Sequence, residues 1–214
     1  MATVTTEELQ QPWVERPVEA AVKKPPVKVW AVLGALILAF QFYVWGKWIT
    51  GPYFERVPSG PTEMPHAMKV FQNVYTALGI VAMLAFFYWL LIRPWRRERR
   101  VTTDGLLALM WFFLYFQDPI MNYFAHKFTY NSYLLNFGSW TKDIPGWGAP
   151  AAPGAMLPEP FLWTAPIYVY ALFGLTITAN WVMRRTKARF PNIGTFGLIG
   201  VCFAFLATLD LILE

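Results

Sequence analysis

The stretch Leu106-Leu107-Ala108-Leu109-Met110-Trp111-Phe112-Phe113-Leu114-Tyr115-Phe116-Gln117-Asp118-Pro119-Ile120-Met121-Asn122-Tyr123-Phe124 is almost wholly apolar yet carries an acid, Asp118, near its end. A run of this length and composition is long enough to cross the hydrocarbon core of a bilayer as a helix. A carboxylate at such a depth costs several kcal/mol in contact with lipid, so it faces a bundle interior or a wet cavity. The chain is therefore expected to be a polytopic membrane protein with a polar pocket near Asp118.

The rest of the sequence agrees. Only 14% of the 214 residues are charged while 56% are hydrophobic and 18% aromatic. That shortfall of charge is concentrated in long continuous runs, which points to membrane spans rather than one large soluble core. Five spans are expected, near 29–48, 70–92, 103–124, 160–182 and 193–213, each about the 20 residues that a crossing takes. The runs do not alternate as barrel strands would, so the expected fold is all-α. Residues 1–28 read as a polar tail with Pro12, Pro17, Pro25 and Pro26, and no leader peptide is expected there. Residues 29–214 form the helical domain.

Basic residues set the expected orientation. Arg16, Lys23, Lys24 and Lys28 precede the first span, Arg93, Arg96, Arg97, Arg99 and Arg100 separate the second from the third, and Arg184, Arg185, Lys187 and Arg189 separate the fourth from the fifth. The positive-inside rule then places the N-terminus in the cytoplasm and the C-terminus outside, in the inner (plasma) membrane. These clusters flank spans, so the net charge of +5 is not a nucleic-acid footprint. The stretch from 125 to 159 holds Tyr130, Asn131, Tyr133, Asn136, Trp140 and Trp147. Aromatic residues bury surface where they can, which predicts an ordered cap over the outer end of the bundle, the other reading being an aromatic belt resting among lipid headgroups.

Asp118 is the expected acid/base. Asn122 lies four residues on, hence on the same face of an α-helix, and His126 shares that face if the helix continues. Pro119 removes a backbone donor and should kink the helix beside the acid. Asp210, late in the last span, either reaches Asp118 at similar depth or meets interfacial water. Gln41, Gln72, Asn73, Gln117 and Asn180 either line the cavity or hydrogen-bond between helices. With two histidines and one cysteine, Cys202, the sequence has no metal-ligand signature, and no Ser-nucleophile or phosphate-loop motif. No metal or cofactor is expected.

The run Gln117-Asp118-Pro119-Ile120-Met121-Asn122-Tyr123, followed by Phe128-Thr129-Tyr130-Asn131-Ser132 and Gly138-Ser139-Trp140, resembles the AveC-like spirocyclases, a family of actinobacterial integral membrane proteins. Ile144-Pro145-Gly146-Trp147, Pro158-Glu159-Pro160 and Pro58-Ser59-Gly60-Pro61 extend the similarity. The resemblance implies cyclisation of a lipophilic polyketide or terpenoid, of the spiroketal type, without a cofactor. Asp118 would be the catalytic acid/base. Asn122, Tyr130, Asn131, Trp140 and Asp210 would position the substrate, aromatic faces favouring a cation-like transition state. Two other readings compete: a non-catalytic subunit of a larger membrane assembly or homo-oligomer, and a small proton-coupled transporter.

Overall fold

The structure is a computed structural model, and it describes residues 26–123, 127–148 and 157–213. Most of the expected polar tail, 1–28, and His126 lie outside the described residues. Two compact units emerge, Met1–Ala39 and Phe40–Glu214. Of the first, the described part is the opening half of helix α1 (Val27–Thr50), with most side chains exposed. Everything below concerns the second unit.

The fold is all-helical among the described residues. After α1 come α2 (His66–Phe87), a π-helical turn (Tyr88–Ile92) and α3 (Arg93–Glu98), which together form one continuous helix. Then follow α4 (Thr103–Leu114), a 3-10 helix (Tyr115–Asn122), a short 3-10 turn (Trp140–Asp143), α5 (Phe161–Arg189) and α6 (Thr195–Leu213). Four of these are long and apolar enough to cross a membrane: Val27–Thr50, His66–Glu98, Phe161–Arg189 and Thr195–Ile212. Their outward faces carry Phe71, Val81, Phe196 and Leu211, the reverse of a water-soluble bundle.

Four of the five expected spans are thus single helices long and apolar enough to cross, and the fifth, 103–124, is divided between two helix types. The α-helix there stops at Leu114, because Pro119 lacks the N–H that would continue it, and the chain tightens into 3-10 geometry. The break expected at Pro119 takes the form of this change of helix type. In a 3-10 helix Pro119 would bond the carbonyl of Phe116; that oxygen instead accepts a hydrogen bond from Trp140 Nε1 at 3.0 Å.

Packing orders the helices. Gly79 of α2 faces Pro166 of α5, where an added Cβ would sit 3.5 Å from the ring, and Phe86 packs on Phe173, so α2 and α5 run parallel. Helix α4 runs against both. Gly105 lies under the Leu90 carbonyl, Ala108 joins Met83, Val169 and Phe173, and Tyr115 packs on Phe161 and Tyr168. Thr102 pins this turn, capping α4 through Gly105 N–H and donating to the Leu90 carbonyl at 2.7 Å. Arg99 makes the reversal before it with a left-handed backbone, φ 54°.

The start of α2, the start of α5 and the end of α4 therefore meet at one end of the unit. The segment 127–148 is tied onto that end. Asn136 Oδ1 accepts from Val57 N–H at 3.0 Å, and Trp48 Nε1 donates to the Phe137 carbonyl at 3.2 Å. Trp140 is fully buried among Trp45, Trp48, Tyr115 and Phe116.

Candidate active site

Asp118 sits on the 3-10 helix and is 5% exposed. Both carboxyl oxygens accept phenol hydroxyls: Oδ1 from Tyr168 at 2.5 Å and Oδ2 from Tyr130 at 2.7 Å. Two donors from two different elements, α5 and the 127–148 segment, hold the acid inside the bundle. Three residues per turn bring Tyr115 onto the same face as Asp118. The Tyr115 hydroxyl donates to Glu159 Oε1 at 2.5 Å. Glu159, 2% exposed, lies between Pro158 and Pro160 just ahead of α5. Burial, and after it the charge of Asp118, pushes the Glu159 carboxyl well above the usual carboxylate range; the Tyr115 hydrogen bond opposes this in part. Tyr130 holds its proton more firmly than a free phenol, first because of burial and then because of the nearby acids.

An apolar cavity of about 580 Å³ opens beside this cluster. One wall comes from Met64 and the start of α2, with Met68, Phe71 and Tyr75, and the other from Tyr130, Leu134 and Trp163. Its size falls in the range of small-molecule sites, about 300–1,000 Å³. Tyr130 is the only link between void and acid among the described residues: it lines the cavity, and its hydroxyl reaches Asp118. Asp118 itself lines none of the described cavities. A second cavity of about 610 Å³ shares Met64 and Gln72 with the first and is more polar, with Arg56, Glu63 and Lys69 in its wall.

The residues expected to bind substrate divide. Tyr130 and Asn131 line the cavity, although Asn131 Oδ1 is engaged by Tyr133 N–H at 3.0 Å. Asn122 is turned away from Asp118, since four residues of 3-10 helix leave an offset of about 120° instead of a shared face. Its Oδ1 accepts from Lys127 N–H at 2.8 Å and Phe128 N–H at 3.2 Å, anchoring the next segment. Trp140 is core, with its N–H committed to Phe116. Asp210 is exposed on α6 in another cavity, beside Leu175 and Phe203, and the structure does not bring it to Asp118. The second carboxyl near Asp118 is Glu159. Of the amides, Gln72 lines both cavities, while Gln41 donates to the Phe113 carbonyl at 3.2 Å as a helix-to-helix tie.

Glu159, Tyr115 and Tyr168 were not visible as site residues in the sequence. An acid bracketed by prolines at the mouth of an apolar run reads as an interfacial charge. The Tyr115 spacing to Asp118 becomes informative only once the 3-10 geometry is known.

No curated protein and no solved structure matches the chain. The family described as Spirocyclase AveC-like matches residues 98–214, more than half of the 214 residues. That stretch holds Asp118, Tyr115, Tyr130, Glu159 and Tyr168, whereas the α2 wall of the cavity lies before it. The chain belongs to the AveC-like spirocyclase family.

Proposed function

We propose that the chain is a membrane-embedded cyclase that closes a lipophilic keto-diol, of polyketide or terpenoid type, to a spiroketal by acid/base catalysis. The observation that carries this reading is the hydrogen bond from Tyr130, on the cavity wall, to the buried Asp118. Family membership supports the reaction class.

In the reaction, one substrate hydroxyl adds to the ketone to give a hemiketal. The hemiketal hydroxyl takes a proton and leaves as water, and the second hydroxyl closes on the oxocarbenium ion and gives up its proton. One water is lost, no electrons are transferred, and the catalyst ends with the proton it began with. Tyr130 supplies the reach that Asp118 lacks. Its hydroxyl passes a proton outward while receiving one from Asp118, and the reverse hop takes up the proton of the closing alcohol. The firm hold of Tyr130 on its own proton suits a relay, since the phenol never needs to carry a lasting charge. Trp163 and Tyr75 lend aromatic faces to the cavity, where the positive transition state is favoured. The apolar wall suits a greasy body, and the adjoining polar cavity suits oxygen-bearing arms.

Orientation belongs to the same proposal. In this proposal 13 of the 18 Lys and Arg, clustered up to the start of α1, around α3 and at the end of α5, mark the cytoplasmic side by the positive-inside rule, and the site then belongs to the outer face of a plasma membrane. The segment 103–122 then crosses as well. Its 12 α-helical residues rise about 18 Å and its eight 3-10 residues about 16 Å. That length reaches across a core of about 30 Å. The test is turnover of a synthetic keto-diol by the purified chain in lipid nanodiscs. Spiroketal should form with wild type and not with Asp118→Asn; equal conversion by both refutes the assignment.

A further inference from the structure

Glu159 has no role in the relay above, yet it is more deeply buried than Asp118 and shares its surroundings. The groups that face the pair come from three elements: Tyr115 from the 3-10 helix, Tyr130 from the 127–148 segment, and Tyr168 with Thr164 from α5. The rings of Phe161 and Trp140 pack on Tyr115. Among the described residues no Lys, Arg or His forms an ion pair with either acid; the one ion pair there is Arg100 with Glu98. Two uncompensated carboxylates in one dry cluster repel strongly, so one of them keeps its proton.

The hydrogen bonds say which. Each oxygen of Asp118 accepts a phenol proton, and two such donors favour the charged form of that carboxyl. Among the described residues Glu159 accepts one, at Oε1, so its charged form has the weaker support and Oε2 is free to carry a proton. We propose that Glu159 is the second carboxyl of the Asp118 site, held as the neutral acid, so that the resting cluster carries one negative charge, on Asp118, and Asp118 alone takes up from water, and then donates through Tyr130, the proton that the acid step needs. Glu159 is on this account a positioning residue: it receives Tyr115, lines none of the described cavities, and acts on the chemistry by leaving Asp118 as the single charge. Its catalytic consequence rests on the cyclase reading, while the charge assignment does not.

Infrared difference spectra of the full chain in nanodiscs, titrated from neutral to alkaline pH, test the assignment without substrate. Wild type and Asp118→Asn should both show the C=O band of a buried protonated carboxyl at neutral pH, and Glu159→Gln should lack it. A band that survives in Glu159→Gln and vanishes in Asp118→Asn reverses the assignment and overturns the proposal, as does the absence of any such band from wild type. Glutamine is shaped like the protonated acid, so Glu159→Gln should melt within a few degrees of wild type, whereas Glu159→Leu strands the buried Tyr115 hydroxyl and should melt clearly lower. With the keto-diol, wild type should lose turnover toward alkaline pH as Glu159 ionises beside Asp118, and Glu159→Gln should shift that limb. A limb unchanged by Glu159→Gln contradicts the role in catalysis. Absence of turnover in every form would count against the cyclase reading, and the infrared bands would still decide the charge assignment.

Discussion

Tyr130 and Tyr168 hold the same carboxylate, and replacing each by phenylalanine separates support from catalysis. Each substitution deletes one hydroxyl bonded to Asp118, at 2.7 Å for Tyr130 and 2.5 Å for Tyr168. A hydrogen bond to a charged group contributes about 1.5–3 kcal/mol, so both variants should lose stability in that range. Turnover should part them. Tyr130 lines the cavity of about 580 Å³ and Tyr168 does not. If protons travel through Tyr130, Tyr130→Phe removes general acid/base catalysis, a loss of about 10²–10⁴-fold. Tyr168→Phe leaves the relay in place and should lose about tenfold or less, the change expected from a slightly displaced carboxylate. Thermal unfolding in matched detergent measures the first quantity, and spiroketal formation from a keto-diol measures the second. Comparable turnover losses in the two variants would refute the relay, because they would show that Asp118 responds only to the number of its donors.

Three further predictions concern the frame around the site. Gly105→Ala puts a Cβ 2.6 Å from the Leu90 carbonyl oxygen, a backbone atom that cannot swing aside, and should cost about 1–3 kcal/mol in unfolding measurements. Trp140→Phe leaves the buried Phe116 carbonyl unpartnered and should cost about 1–3 kcal/mol, with no requirement for Trp140 in substrate affinity. Arg99→Gly relieves a left-handed backbone, φ 54°, and should raise stability by about 1 kcal/mol in the same measurement.

The sequence announced the apolar helices because continuous runs of this length have one common physical meaning. Asp118 stood out for the same reason, as a charge where charge is expensive. What was not legible arose from hydrogen-bond geometry. Pro119 signals a break, but whether the chain kinks or tightens into a 3-10 helix depends on whether another donor satisfies Phe116, and that donor, Trp140, is 24 residues away. The tightening changes which residues share a face: Tyr115 joins Asp118, and Asn122 leaves it to anchor Lys127 and Phe128. It also shortens the α-helix to Thr103–Leu114, so that four helices, not five, meet the requirements of a span. Asp210 and Glu159 look alike in sequence as acids at the ends of apolar runs. Only tertiary packing, α4 antiparallel to α5, brings Glu159 to the buried cluster and leaves Asp210 on an exposed face of α6.

The most direct measurement is mass-resolved turnover of a lipophilic keto-diol by the purified chain in nanodiscs, with Asp118→Asn prepared identically and shown to melt as a folded protein. The predicted result is a spiroketal product lighter by one water with wild type, and none above the uncatalysed background with the variant. Product formed at the same rate by folded Asp118→Asn would contradict the claim that this buried acid, working through Tyr130, carries the chemistry.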